Sequence, residues 1–171
     1  MIFLFWCSMS ITNTYLQVHA KVDLNLSDAE VASFTVYTNF AIMLIRLLSA
    51  TILARLPFRS TLISFLVMCG ICGLIAPYAN TYTMIVLVFF LAGTSFGAVR
   101  IFETVSIANI STSENRGVAN SIAQVSSSMG NLAKIATTPI VEVSGIIPVF
   151  ILAGVIGFCS AIPPLLHRVA D

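Results

Sequence analysis

The sequence predicts an all-α polytopic membrane protein with six transmembrane helices. Three observations carry that fold class. The chain is 58% hydrophobic and only 9% charged, with a mean hydropathy of +1.00, whereas a water-soluble domain carries about 25% charged residues. Apolar runs of the length a membrane helix needs, about 20 residues, recur along the whole chain. Between two of these runs sits the short segment 49–59, with Arg55 and Arg59, and such a two-arginine connector is how a polytopic protein turns on the cytoplasmic face.

Six spans with short connectors use up the 171 residues and leave no separate soluble domain. The net charge of +1 says little about partners, and nothing points to nucleic acid or to a cofactor. Cys7, Cys69, Cys72 and Cys159 all fall inside apolar runs and read as small packing residues. The Cys69-Gly70-Ile71-Cys72 spacing resembles a redox motif, but no cationic neighbour is there to activate a thiol.

The first helix covers residues 1–20. It opens with Ile2, Phe3, Leu4, Phe5 and Trp6 and grows polar toward Asn13, Thr14, Gln17 and His19, so one face looks into protein. A secretory signal cleaved after Val18-His19-Ala20 is the rival reading, but the cationic leader of such a signal is missing. Residues 21–26 form a polar connector. Ser27 and Glu30 then have the spacing of a capping box, and the second helix runs from there to about Leu56, stopped by Pro57. The third span is expected over 61–76, with Pro77-Tyr78-Ala79-Asn80 as a turn, and the fourth over 81–109. Ser111-Thr112-Ser113-Glu114 offers a second capping box before Arg116-Gly117, so a fifth helix should continue to Thr138, before Pro139. A loop with Glu142 and Gly145 follows, and the last span covers about 148–166, ending in His167-Arg168.

Arg55, Arg59, Arg116 and Arg168 fall on one side of this threading and Lys21 alone falls opposite. Translocated loops are depleted in Lys and Arg, so both termini are expected in the cytoplasm, with residues 21–29, 77–81 and 139–147 outside. Asn25-Leu26-Ser27 would then be an outward sequon.

These features resemble a six-helix half of a major facilitator superfamily transporter. Leu24-Asn25-Leu26-Ser27-Asp28-Ala29-Glu30 is similar to the family's polar entry to the second helix of a half. Arg46-Leu47-Leu48-Ser49-Ala50 followed by Ala54-Arg55-Leu56-Pro57-Phe58-Arg59 is similar to its loop motif, and Glu114-Asn115-Arg116-Gly117 to its entry to the fifth helix. The glycine-bearing fourth helix, Gly93-Thr94-Ser95-Phe96-Gly97, fits as well. The loop departs from the pattern at four places: Ala50 stands at its small-residue position, Ala54 at its acidic one, Pro57 at its glycine and Phe58 at a basic one. Such departures suit either the C-terminal half, where the motif is weaker, or a divergent member.

The resemblance implies one domain over 1–171, built as two inverted three-helix repeats at about 1–77 and 81–168, with Ser27 and Ser113 as matching capping signals. It implies alternating-access transport of a small solute, and the family's cavity lies between two halves. Met1 leads straight into the apolar run, which adds to the expectation of a second half, whether fused, separate or contributed by homodimerisation.

Ionisable groups inside a span are costly, and each is a functional candidate. Arg46, Arg100, Glu103 and Lys134 qualify. Arg46 lies about 13 Å deeper than Arg55 at 1.5 Å per residue, and the resemblance favours a gating or structural role for it, as for Arg55, Arg59, Arg116 and Gly117. Arg100 and Glu103 have the i,i+3 spacing that lets them neutralise one another. Alternatively Gly93, Gly97, Arg100 and Thr104 form a stripe facing the cavity, or Glu103 reaches Arg46. Lys134 either lines the cavity or snorkels toward Glu142. Ser10, Asn13 and Gln17 make one polar stripe, for substrate or for a neighbouring helix. Asn39 and the Gln124/Ser127/Ser128/Asn131 stripe read as interhelical glue, and Ser126 and Gly130 as close-packing positions.

Counting three cations against one carboxylate leaves an excess of two positive charges, which favours an anionic ligand if a second half adds no carboxylates. Two other classes compete with this reading. A membrane scaffold or regulatory half-domain is favoured by the altered loop motif and opposed by the intramembrane charges. An intramembrane serine protease would pair Ser95 with His167, but their depths in the membrane differ too much for a hydrogen bond. A metal site is not expected, because His19 and His167 lie on opposite sides with no acidic cluster.

Overall fold

The computed structural model describes residues 1–49, 51, 55–112 and 114–166. Among these the chain is all helical: α1 (Ile2–Val22), α2 (Asp28–Ser49), α3 (Phe58–Ile75), α4 (Tyr82–Ile110), α5 (Arg116–Ala136), the short α6 (Thr138–Ser144) and α7 (Ile147–Leu166). A 3-10 turn, Ala76–Tyr78, links α3 to α4.

The six long helices alternate in direction. At one end Met1, Phe58, Ser111, Ala119 and Pro164 line a common pocket. At the other, Lys21 Nζ sits 2.5 Å from Asp28 Oδ1 and the Ser33 and Tyr82 hydroxyls meet at 2.9 Å. Arg55, Arg59 and Arg116 therefore share one end, as expected, and Lys21 lies at the opposite end.

The capping box forms: Ser27 N donates to Glu30 Oε2 at 2.8 Å and Glu30 N donates to Ser27 Oγ at 3.3 Å. Several boundaries differ from the sequence expectation. α1 runs two residues further, to Val22, before a turn in which Asn25 takes φ 51°, a left-handed conformation that asparagine tolerates. α3 begins directly after Pro57, which is its N-cap. α2 is helical to Ser49, and Leu56 lies outside it. The hydroxyls of Ser49 and Thr51 return to the carbonyls of Arg46 and Leu48, satisfying acceptors that a helix terminus leaves free. The anticipated second box is replaced by a different arrangement. Ser111 caps the end of α4, its hydroxyl bonded to the Ile107 carbonyl, and Asn115 begins α5 without a side-chain cap bond. Ser113 lies outside the described residues. The expected loop 139–147 contains α6, because Pro139 fits a first helical turn where no N–H is required.

Four helices, α2, α3, α4 and α7, are long and apolar enough to cross a membrane. α1 and α5 each have 21 residues, about 31 Å at 1.5 Å per residue, but are more polar. α1 is buried along most of its length, so its polar groups meet protein rather than lipid.

Packing is pairwise. α2 lies on α4, α3 on α7, α5 on α1, and the pairs are joined through α1–α7 and α3–α4 contacts. Small residues set these crossings. A Cβ on Gly73 would stand 2.6 Å from Gly154 N, and one on Gly157 would stand 2.6 Å from Gly70 Cα. Gly93 and Gly97 admit Thr38, Ala41, Ile42 and Ile45 of α2, and Gly130 admits Trp6 of α1. The core between them holds Phe5, Met9, Leu16, Leu66 and Phe150, with Phe34 stacked on Phe89 at 5.0 Å.

Polar ties add register. Ser95 Oγ donates to the Phe65 carbonyl at 2.6 Å, and Ser8 Oγ lies 3.4 Å from Cys69 Sγ. Ser10 Oγ donates to the Asn131 carbonyl at 3.1 Å and Tyr15 to the Lys134 carbonyl at 3.0 Å.

Replacing Gly157 by isoleucine forces α3 and α7 apart and should destabilise by about 1–3 kcal/mol, read as a lower thermal unfolding midpoint in detergent. Gly117→Ala, where nothing lies within 4 Å of the added methyl, should leave the midpoint unchanged or raise it. Equal losses at both positions would refute the crossing as described.

Candidate functional site

The charged groups of the bundle interior converge on α4. Arg100 Nη1 donates to Glu103 Oε2 at 3.0 Å, and the Glu103 side chain is 3% exposed against 31% for Arg100. Burying a carboxylate without a counterion costs several kcal/mol (~), so the intrahelical pair answers the first demand of this site. The Arg100 guanidinium carbon also lies 4.5 Å from the centroid of the Trp6 ring, a cation–π contact that stabilises by about 1 kcal/mol. Trp6 is itself held edge-on by Phe96 at 5.1 Å.

Arg100 and Glu103 form one wall of a polar cleft of about 360 Å³ between α4 and α5, completed by Thr104, Asn120, Ser121 and Gln124. On its other side Arg100 shares a groove of about 510 Å³ with Arg46 of α2. Arg46 is exposed and is not the partner of Glu103. The cleft presents the Arg100 guanidinium, the Glu103 carboxylate and the Asn120 and Gln124 amides, while the Thr104 and Ser121 hydroxyls donate to the Arg100 and Gly117 carbonyls of their own helices.

The glycine stripe is different from the expected one. Gly93 and Gly97 are buried against α2 and do not face the cleft, because their missing side chains are what let α2 and α4 touch. Arg100 and Thr104, on the same stripe, border both the polar cleft and the groove shared with Arg46 of α2. Gln124 lines the cleft and is not interhelical glue, and Ser127 bonds the Gln124 carbonyl of its own helix at 2.8 Å. Ser10 and Gly130 do serve α1–α5 packing.

Asn13 and Gln17 are half-buried on α1, away from the Arg100 cleft, with Asn13 Oδ1 buried and without a hydrogen-bond partner. Lys134 is exposed, makes no ion pair with Glu142 among the described residues, and adjoins α1 through the Tyr15 bond to its carbonyl. Arg59 has a structural job: its Nε and Nη2 donate at 2.8 and 2.5 Å to the Pro164 and Leu165 carbonyls of α7, which ties the start of α3 to α7. Arg55, Arg116 and Gly117 are exposed at the same end.

Ser95 is fully buried and committed to the Phe65 carbonyl, which leaves it no access to a substrate. His167 lies outside the described residues. Trp6 and Asn120 were absent from the sequence-based candidates. Trp6 read only as apolar, since nothing along the chain links position 6 to position 100.

The description of the Major Facilitator Superfamily matches the chain over residues 1–170. The chain belongs to the major facilitator superfamily. As a member of this family of transporters, with apolar helices of membrane-spanning length, it is an integral membrane protein of solute transport. Neither curated proteins nor solved structures give a match to it.

Arg100→Leu strands the Glu103 carboxylate, and the loss should be about 3 kcal/mol, the lower end for a broken buried pair because Arg100 is partly exposed. The Arg100→Leu/Glu103→Leu double variant should recover most of that loss. Thermal unfolding of the single and double variants checks it, and a double variant no more stable than the single would exclude the pairing as the stabilising contact.

Proposed function

We propose that this chain is one six-helix half of a secondary transporter that works by alternating access on a small anionic solute, with Arg100 as the principal solute contact. The observation that carries this is Arg100 itself. Its charge is held in place from two sides, by Trp6 and by Glu103, and still opens onto a polar cleft. Arg46 and Lys134 add positive charge against the single carboxylate of Glu103, which favours an anion. Asn13 and Gln17 are proposed as further solute contacts on α1, and Lys134 as a cation at the outer end of the path.

The inverted-repeat reading has support in the packing. Exchanging α1, α2 and α3 with α4, α5 and α7 turns the α2–α4 contact into α5–α1, and α1–α7 into α4–α3, while α3–α7 maps onto itself. That is the pattern expected of two three-helix repeats of opposite orientation. In this reading all six long helices span the bilayer, and the end that carries Arg55, Arg59 and Arg116 is cytoplasmic.

A second six-helix half, fused, separate or supplied by another copy, would complete the cavity. The outer faces of α2 and α5, with Phe40 and Leu47 on one and Ile122 and Met129 on the other, are exposed and suit either that half or lipid.

Uptake of radiolabelled organic anions into liposomes that contain the chain and its second half tests the assignment. Arg100→Ala should lower uptake about 10-fold or more, since losing a charged hydrogen bond of 1.5–3 kcal/mol (roughly) corresponds to that factor. Lys134→Ala should lower it less. Wild-type uptake in both variants would remove Arg100 and Lys134 from the path, and no flux of any solute would favour the scaffold reading. Sidedness has its own measurement. With Cys159 replaced by alanine, cysteines introduced at Asn80 and at Arg116 should react with an impermeant maleimide from opposite sides of the membrane, Arg116→Cys from the cytoplasmic one.

A further inference from the structure

Glu103 has two carboxylate oxygens, and the Arg100 pair uses only one. Oε2 takes the Arg100 donor, whereas Oε1 is buried and has no hydrogen-bond partner. An ionised carboxylate accepts several hydrogen bonds, so this oxygen is an unmet acceptor in an apolar setting. Glu103 also forms part of a second pocket, separate from the polar cleft. That pocket, of about 470 Å³, lies at the arginine-bearing end among α1, α3, α4, α5 and α7. Its walls are apolar, with Ile2, Phe58, Leu62, Ile122, Pro163 and Pro164 among them, and among the described residues Glu103 is its one ionisable side chain. Of its two serines, Ser111 already donates to the Ile107 carbonyl.

We infer that this pocket binds a neutral aliphatic molecule with one hydroxyl, which donates to the free oxygen of Glu103. The apolar walls require an aliphatic body. The buried acceptor requires a single donor. A neutral donor is favoured over an amine because Arg100 already neutralises the Glu103 carboxylate, so a further cation would meet no unbalanced negative charge. The volume lies within the range of small-ligand sites and holds on the order of 15 non-hydrogen atoms at roughly 30 Å³ each. Such a ligand sits inside the helices of this chain, and its binding does not depend on the transport reading or on Arg100 contacting a solute.

The test is photolabelling of the full chain in liposomes by a diazirine analogue of 1-dodecanol, with labelled residues identified by peptide mass spectrometry. Labels should concentrate on residues 58–62, 106–111 and 163–164. Unlabelled 1-dodecanol should compete about 10-fold better than dodecane, the factor expected for one added hydrogen bond to a carboxylate. Leu62→Trp, which fills the pocket, should abolish the labelling, and Phe40→Trp on the exposed face of α2 should not change it. Glu103→Gln keeps an acceptor and should keep the preference for the alcohol, whereas Glu103→Leu should make alcohol and alkane equal. Monododecanoylglycerol as competitor separates the two sources: stronger competition than by 1-dodecanol assigns the site to a membrane lipid, and weaker competition assigns it to a free alcohol. Equal competition by dodecane in the wild-type chain, labelling that survives Leu62→Trp, or about 10-fold better competition by dodecylamine than by 1-dodecanol would each overturn the inference.

Discussion

Close approach of helix backbones is the constraint on which this structure depends. Lipid tails are as apolar as leucine, so helices in a bilayer gain little by hiding apolar side chains from it and must be held by direct contact. Here each major crossing has small residues at its centre: Gly70, Gly73, Gly154 and Gly157 between α3 and α7, Gly93 and Gly97 between α4 and α2, and Gly130 between α5 and α1. Where backbones touch, serine hydroxyls reach across to carbonyls of the neighbouring helix, as Ser95 does to Phe65 and Ser10 to Asn131. The same contacts fix where the charged groups stand, because α4 is set against α2 by its glycines and presents Arg100 and Glu103 beyond that contact.

The second constraint is electrostatic and local to α4. A carboxylate at 3% exposure needs a cation, and the helix itself supplies one a turn earlier. Arg100 then serves two purposes, since the guanidinium that neutralises Glu103 also lies on Trp6 and borders the polar cleft. Glu103 likewise borders two spaces of opposite character, a polar cleft and an apolar pocket. This one residue therefore joins the solute reading of the cleft to the amphiphile reading of the pocket, although neither reading needs the other.

Much of the fold was legible along the chain, for local reasons. The Ser27–Glu30 box and the limits of α4 both depend on residues within a few positions of one another, and both appear as anticipated. Local rules failed where two readings shared one motif. Ser111 had the spacing of a cap for the following helix but closes the preceding one, and Pro139, read as a terminator, sits in the first turn of α6. At the site, the i,i+3 spacing made the Arg100–Glu103 pair readable. The part played by Trp6 was not, since it depends on α1 and α4 meeting.

By itself the sequence determined the medium, the alternation of the helices, the common end for Arg55, Arg59 and Arg116, and the family, because hydropathy, caps and loop charges act over one helix or one turn. Only the tertiary structure decided which faces meet: that Gly93 and Gly97 serve packing while Arg100 lines a cleft, that Arg59 ties α3 to α7, and that Asn13, Gln17 and Lys134 stand apart from Arg100. The physical reason is that a helix carries its side chains around a full circle, and each becomes a packing, lining or lipid-facing group only when its neighbours are in place.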